Sequence, residues 1–512
     1  MKYLFVALPA MLLMTVFSVQ AQDTTVQRSR LLDKQPTPAR VTMALPGNKA
    51  RPIPPGPFSA DWESIKKNYS TPQWFLDGKF GIFIHYGVYT VPAHASEWYP
   101  RHMYSNAGVQ KWHTEKYGPV DSFGYKDLIP LFTMKKFDAG AWAALFKKAG
   151  ARYVIPTAEH HDGFAMYESK LTKWNAKEMG PHIDFIGELA TAVRKEGLRF
   201  GVSNHRMENW DFMYPQLKTA TDLFDPAYAD FYGPPQMPPQ RKNASGGEEV
   251  IEDQRKAPQS PAFLEEWLAR CQELVDKYKP DMFWFDNGIN SRSLDSIKLR
   301  FAAYYYNSAK KWKKDVSIST KSDAYLAGSI RDFERQGRAP KEMTDYVWQT
   351  DDPIGEKFGY VEGMKLTNAG TIVKRLVDNI SRNGNYMLNI SPMSDGTIPV
   401  AQQEILLGVG KWLDVNGEAV YGSRAWTKDA ENNTRFTKKG NLLFAFLTQW
   451  TGNEVVINCL GTAAGKVTGV SMLGVVTPLA FSQNETGLTV QLPGTKPCDY
   501  VWTLKIEGVV TK

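Results

Sequence analysis

Asp286 ends the run Met282-Phe283-Trp284-Phe285, and Asn287-Gly288 follows it. A short apolar, aromatic run reads as a buried strand and Asn-Gly as a turn, so the carboxylate emerges where strand becomes loop. Barrel enzymes keep their chemistry at that edge. Three other apolar runs deliver imidazoles in the same way: Phe80 to Ile84 before His85, Tyr153 to Glu159 before the pair His160 and His161, and Leu198 to Val202 before Ser203, Asn204 and His205. All eight histidines lie between His85 and His205, and four of them stand at strand exits. One histidine in such a place is usually a structural hydrogen-bonder, but recurrence at several strand ends points to one shared polar pocket. Two carboxyl groups, one ionised and one protonated, can break a glycosidic bond held between them. Asp286 suits the ionised role. Its candidate partner is Glu334, in Asp332-Phe333-Glu334-Arg335, with Glu342 and Glu356 as competing acids. Read alone, Glu334 among arginines is a solvated charge cluster.

To bring these ends together the chain must build repeated strand-helix units. Residues 137–150 place Trp142, Leu145, Phe146 and Ala149 at helical spacing before Gly150, and residues 185–196 and 263–278 repeat helical texture between the strands. Such alternation predicts parallel strands, most simply a TIM-like (β/α)8 barrel over residues 58–424, with an open doubly wound sheet as the alternative. Residues 211–260 interrupt the pattern with Tyr232-Gly233-Pro234-Pro235 and a charged tract, and read as a structureless rim loop. Residues 406–416 read as a helix closed by Gly417. Beyond it, residues 425–512 turn to short β-rich segments separated by turns, which predicts a small antiparallel β-sandwich.

The chain has 512 residues, 43% hydrophobic and 22% charged, enough for two domains with ample core. Residues 1–21 carry Lys2, an apolar stretch and Val19-Gln20-Ala21 before Gln22, the build of a cleavable export signal; a periplasmic or extracellular location is expected. Residues 22–57 read as a flexible, proline-rich leader. Most of the formal charge of +7 lies in these first segments, so the body is nearly neutral and carries no footprint for nucleic acid. No later segment reads as a membrane span. Of the three cysteines, Cys271 reads as core, and Cys459 and Cys498 could pair in an oxidising compartment.

Several blocks carry a more specific likeness. Gly78-Lys79-Phe80-Gly81-Ile82-Phe83-Ile84-His85-Tyr86-Gly87, Ser96-Glu97-Trp98-Tyr99, Glu159-His160-His161-Asp162-Gly163-Phe164, Phe283-Trp284-Phe285-Asp286 and Asn383-Gly384-Asn385-Tyr386-Met387-Leu388-Asn389 occur in one order. Together they resemble the α-L-fucosidases of glycoside hydrolase family 29. The resemblance implies Asp286 as nucleophile and Glu334 as acid and base in a retaining reaction on terminal fucose, without cofactor or metal. It also implies that His85, Glu97, Trp98, His160, His161, His205, Trp284 and Lys321 hold the sugar of a fucosylated oligosaccharide or glycoconjugate. Imidazoles and a carboxylate would bond its hydroxyls, and indoles would cover its apolar face. The chain departs from the family at Tyr86, where tryptophan is usual, and at Ser203, Asn204 and Lys321.

Two other classes compete. A metal-dependent hydrolase would use His85, His160, His161 and Asp286 as ligands, although adjacent histidines within a strand point to opposite faces. A glycan-binding protein without activity would be expected to have lost one of the two carboxyl groups.

Overall fold

The computed structural model describes residues 48–213, 220–233, 240–242, 248–250, 259–321 and 323–508. The signal and most of the leader expected from the sequence lie outside these residues. Eight strands, β1 (Phe80–Ile84), β2 (Tyr153–Glu159), β3 (Arg199–Asn204), β4 (Met282–Phe285), β5 (Ser317–Lys321), β6 (Ser329–Asp332), β7 (Trp348–Pro353) and β8 (Gly384–Ile390), close into a barrel. Each strand runs parallel to the next in sequence, and β8 pairs with β1 through Phe80 to Ile84 against Tyr386 to Ile390. Every residue of β1, β2, β4, β5, β7 and β8 is buried. β1, β2 and β4 are mostly apolar and were visible in the sequence on that account, whereas β5 and β7 bury Ser317, Ser319, Thr320, Gln349, Thr350, Asp351 and Asp352 and carried no such signal.

Helices cover most of the barrel: α1 (Trp62–Asn68), α2 (Ala139–Lys148), α3 (Phe185–Lys195), α4 (Pro261–Tyr278), α5 (Asp295–Lys311), α6 (Ala369–Ser381) and α7 (Val400–Val420). Side chains of Asp138, Asp184, Ser260 and Asn368 accept backbone N–H bonds at the starts of α2, α3, α4 and α6, satisfying donors that have no partner within the helix. α3 shows the amphipathic stripe clearly, burying Phe185, Ile186, Leu189, Ala190 and Val193.

The alternation is less regular than expected. Among the described residues no helix joins β5 to β6, and only a 3-10 turn, Gln336–Arg338, lies between β6 and β7. α1 helps to cover that side: Trp62 meets Tyr325 edge to face at 5.7 Å and donates to Asp295, while buried Ile65 lies where a side chain at Gly328 would clash. Short connections keep Lys321 and Glu334 near each other.

Three further expectations are corrected. The helix near residue 406 starts at Val400 and runs through Gly417 to Val420; its contacts outweigh the modest helix penalty of glycine, with the Trp412 indole bonded to Val501 O at 2.7 Å. Residues 48–57, expected as the end of the leader, are tied to the barrel: Arg51 N donates to Gln272 Oε1 at 2.6 Å, and Gln272 Nε2 donates back to Arg51 O at 2.9 Å. The described part of 211–260 is structured, with turns at Asp222–Phe224 and Pro226–Tyr228, a short helix at Ala229–Tyr232 and an antiparallel pairing of Gln240–Lys242 with Glu248–Val250. Buried Asp222 fastens it by accepting from Tyr104 and Tyr232 and pairing with Lys126.

After α7 come β9 (Arg424–Glu431), β10 (Thr434–Lys439), β11 (Leu442–Leu447), β12 (Glu454–Ile457), β13 (Gly469–Met472), β14 (Phe481–Asn484), β15 (Gly487–Gln491) and β16 (Trp502–Glu507). They form a five-stranded sheet, β9-β10-β11-β16-β13, and a three-stranded sheet, β12-β15-β14, antiparallel throughout. Residues of both sheets, among them Phe436, Leu443, Leu504, Ile457, Leu488 and Val490, share one core. Cys459 and Cys498 are both free thiols. No helix of the described residues is long and apolar enough to cross a membrane.

Candidate active site

At one end of the barrel, β1 delivers His85, β2 delivers His160 and His161, β3 delivers His205, β4 delivers Asp286, β5 ends in Lys321, and Glu334 lies just beyond β6. All lie at or just past C-terminal strand ends, so six of the eight parallel strands deliver side chains to one bowl. β2 has ended at Glu159, so the two adjacent imidazoles are not split across a sheet; their ring centres lie 4.4 Å apart.

Asp286 is the hub. His205 Nδ1 donates to its Oδ2 at 2.9 Å, His161 Nε2 approaches the same oxygen at 3.3 Å, and Lys321 Nζ is 2.8 Å from Oδ1. Burial would raise the Asp286 carboxyl, but the Lys321 ammonium and the two imidazoles outweigh it and hold the group well below the usual carboxylate range. An ionised carboxylate is therefore kept at the floor of the bowl.

The imidazoles are shifted in two directions. Burial lowers His85 and His160 well below the ordinary histidine value, with neighbouring imidazoles adding to the effect, and burial lowers His205 to about 4 despite Asp286. These three are neutral at neutral pH. His161 goes the other way: burial opposes its charge, but Glu208 and Asp286 prevail and raise it. Its geometry agrees, because both ring nitrogens face acceptors, Asp286 on one side and the His205 carbonyl at 3.1 Å on the other.

Lys321 also reaches Glu334, donating to Oε2 at 3.0 Å. One ammonium thus touches both predicted carboxyl groups. Asp286 Oδ1 and Glu334 Oε2 can be no farther apart than these two contacts laid end to end, which is below the roughly 6.5–9.5 Å expected of inverting enzymes. Asp351 lies farther from Lys321 Nζ, at 3.9 Å. Burial and the neighbouring Asp332 push Asp351 well above the usual range, while Asp332 accepts from the Trp284 indole, Gln349 and the Asp351 backbone.

Glu97 sits on the loop after β1, and its Oε2 accepts from the backbone of Phe358 at 3.1 Å and Gly359 at 3.0 Å. Trp98 is partly exposed at the rim, packed edge-on against His161 and Phe212. Trp284 differs from expectation: it is 0% exposed, points into the barrel with Phe83, Ile155 and Met387, and supports His205 and Lys321 from below. Strand alternation puts Trp284 on the same inner face as Asp286 but one step deeper, and at 0% exposure it has no surface open to the bowl. Glu342, a competing acid, is exposed and pairs with none of these groups.

Sequence reasoning overlooked the residues that orient the predicted ones. Asn389 Oδ1 accepts from both the backbone and Nδ1 of His85, at 3.0 and 2.7 Å, and its amide donates to Phe358 O. The signal was present as an asparagine near the end of the otherwise apolar β8. Glu208 beside His161, and Asp332 beneath Lys321, carried no comparable signal.

Two trios could hold a metal among the described residues, His85 with His160 and His205, and His161 with His205 and Asp286. Both need His205, whose ring nitrogens already face Asp286 and Ser203. Neither trio joins His160 to His161, as the metal reading required. Metal capture would break the contacts that hold Asp286.

Comparison with known proteins adds an independent line. The family described as Alpha-L-fucosidase matches residues 48–418, and the Alpha-L-fucosidase C-terminal domain matches residues 428–507. The chain is 32% identical to the tissue alpha-L-fucosidase of Bos taurus, covering 89% of this chain and 92% of that protein. Against the Homo sapiens tissue alpha-L-fucosidase it is also 32% identical, with 90% and 94% covered. Among solved structures it is similar to Thermotoga maritima alpha-fucosidase in complex with a mechanism-based inhibitor, at a TM-score of 0.70 and 30% identity over 88% of this chain and 100% of that one.

Proposed function

This chain belongs to the α-L-fucosidase family of glycoside hydrolases, and we propose that it removes terminal α-L-fucose from glycans with retention of configuration. The observation that carries the mechanism is the Lys321 bridge, which brings the two carboxyl groups within the short range that a covalent route needs. Asp286, kept ionised, attacks the anomeric carbon as the glycosidic C–O bond breaks. Glu334 gives its proton to the departing oxygen. Glu334 then takes a proton from water, water oxygen bonds to the anomeric carbon, and the ester electrons return to Asp286. The complex of the Thermotoga maritima relative with a mechanism-based inhibitor supports a covalent step.

His85, His160 and Glu97 are proposed to bond the sugar hydroxyls, His161 and His205 to hold Asp286 against the sugar, and Trp98 to cover its apolar face; Trp284 acts from beneath. Neutral imidazoles such as His85 and His160 suit this work, since each can both donate and accept. Export to the periplasm or beyond is proposed from residues 1–21, and the N-terminus of protein recovered from cell fractions tests it. For the chemistry, an activated aryl α-L-fucoside is the probe. Asp286→Asn should abolish its turnover while leaving the fold intact by circular dichroism; turnover equal to the parent would refute the nucleophile. Proton NMR of the first sugar released should show the α anomer, and initial release of the β anomer would refute retention.

A further inference from the structure

We infer that Lys321 is a fixed counter-ion for a negative charge that travels between Asp286 and Glu334 during turnover, and so positions Glu334 for proton transfer. This rests on the two carboxyl assignments proposed above. Before reaction the charge is on Asp286 and the proton on Glu334. Once the ester forms and the leaving oxygen has taken the proton, Asp286 is neutral and the charge is on Glu334. Water then returns a proton to Glu334 and the ester electrons to Asp286. The charge has moved out and back, yet at each stage it lies within hydrogen-bond reach of one ammonium, 2.8 Å at one end and 3.0 Å at the other. Nothing needs to reorganise around it.

Three features favour this reading over a simple sugar contact. Lys321 is a buried point charge with three donors, able to serve two separate carboxyl groups, and the Trp284 ring 5.2 Å below its Nζ helps to fix it. The third carboxyl nearby, Asp351, stands farther from the ammonium, at 3.9 Å. The two ends also depend on Lys321 unequally. Asp286 keeps His205 and His161 if the lysine is lost, whereas the other cations near Glu334, Arg335 and Arg338, stand 3.9 Å away on side chains 42% and 72% exposed, where water screens them.

Loss of Lys321 should therefore resemble loss of the acid more than loss of a sugar contact. The test compares Lys321→Met, Lys321→Arg and Glu334→Ala on an aryl fucoside with a good leaving group and on a fucosyl disaccharide, with and without azide. Lys321→Met is expected to lose about tenfold or more kcat/KM on the disaccharide relative to the aryl fucoside. Azide, which needs no base, should raise its kcat on the aryl substrate, and Lys321→Arg should restore most of the parental ratio. Equal losses on both substrates without an azide effect would overturn the inference, as would Lys321→Arg matching Lys321→Met. If Glu334→Ala shows the leaving-group pattern and Lys321→Met does not, only the counter-ion role fails. If Glu334→Ala lacks it, the acid assignment fails and the inference with it. Thermal unfolding of each variant separates these outcomes from misfolding.

Discussion

Behind the bowl, two strand ends are held by a buried ion cluster whose disruption should be felt in both stability and catalysis. Glu159 closes β2 just before His160, and Arg206 follows His205 after β3. Arg206 pairs with Glu159 at 2.7 Å and with Glu266 of α4 at 2.8 Å, and Arg270 of α4 pairs with the same two carboxylates. All four side chains are at most 2% exposed, and two cations balance two anions. Arg270→Met removes one cation and leaves a single arginine between two buried carboxylates. Breaking a buried pair from one side costs about 3–5 kcal/mol, because the remaining charge is uncompensated. At about 2–4 °C per kcal/mol, the barrel's unfolding midpoint should fall by roughly 10 °C. At temperatures where the variant stays folded, small displacements of His160 and His205 should lower kcat/KM about tenfold or more. The double variant Arg270→Met with Glu266→Met restores charge balance as one Arg206–Glu159 pair, and should recover most of the lost midpoint. The assays are thermal unfolding by circular dichroism and initial rates on an aryl fucoside. A midpoint for Arg270→Met within about 1 °C of the parent, or a double variant less stable than the single one, would refute the reasoning.

Other predictions concern the bowl itself. Asn389→Ala removes the acceptor that orients His85, and kcat/KM should drop about tenfold or more; a loss below about twofold would show that the imidazole holds its place unaided. The two tryptophans should part company: Trp98→Ala should keep its unfolding midpoint and raise KM, whereas Trp284→Ala, opening a hole in a fully buried floor, should cost about 3–5 kcal/mol of stability. Similar midpoints for both would contradict their placement. A group with a depressed folded value stays charged until pH falls through that value, so Asp286 remains ionised through the mildly acidic range. The acid limb of kcat/KM should then lie at or below about 4, where His205 gains its proton. A limb above about pH 5 on an activated substrate would mean that Asp286 is not held as described.

The barrel and the predicted site were legible for one reason. β1 to β4 are mostly apolar along their length, so an ionisable residue at the end of each stands out, and His85, His160, His161, His205 and Asp286 were visible as a set in the sequence, whereas the buried but polar β5 and β7 gave no such contrast. The β-rich texture after residue 424 was readable in the same way, from short alternating runs and turns. Local pattern could not say that the steps from β5 to β7 dispense with helices, because the cover on that side includes α1, from far earlier in the chain. Nor could it say that Trp284 is wholly buried beneath the bowl while Asp286, two residues on along the same face, reaches into it. The partnerships were hidden too: Asn389 under His85, Glu208 beside His161, and Lys321 between Asp286 and Glu334 join residues from different strands or loops. Residue type at a strand end is fixed by local burial, whereas charge state and reach are set by whatever the closed barrel brings across from elsewhere.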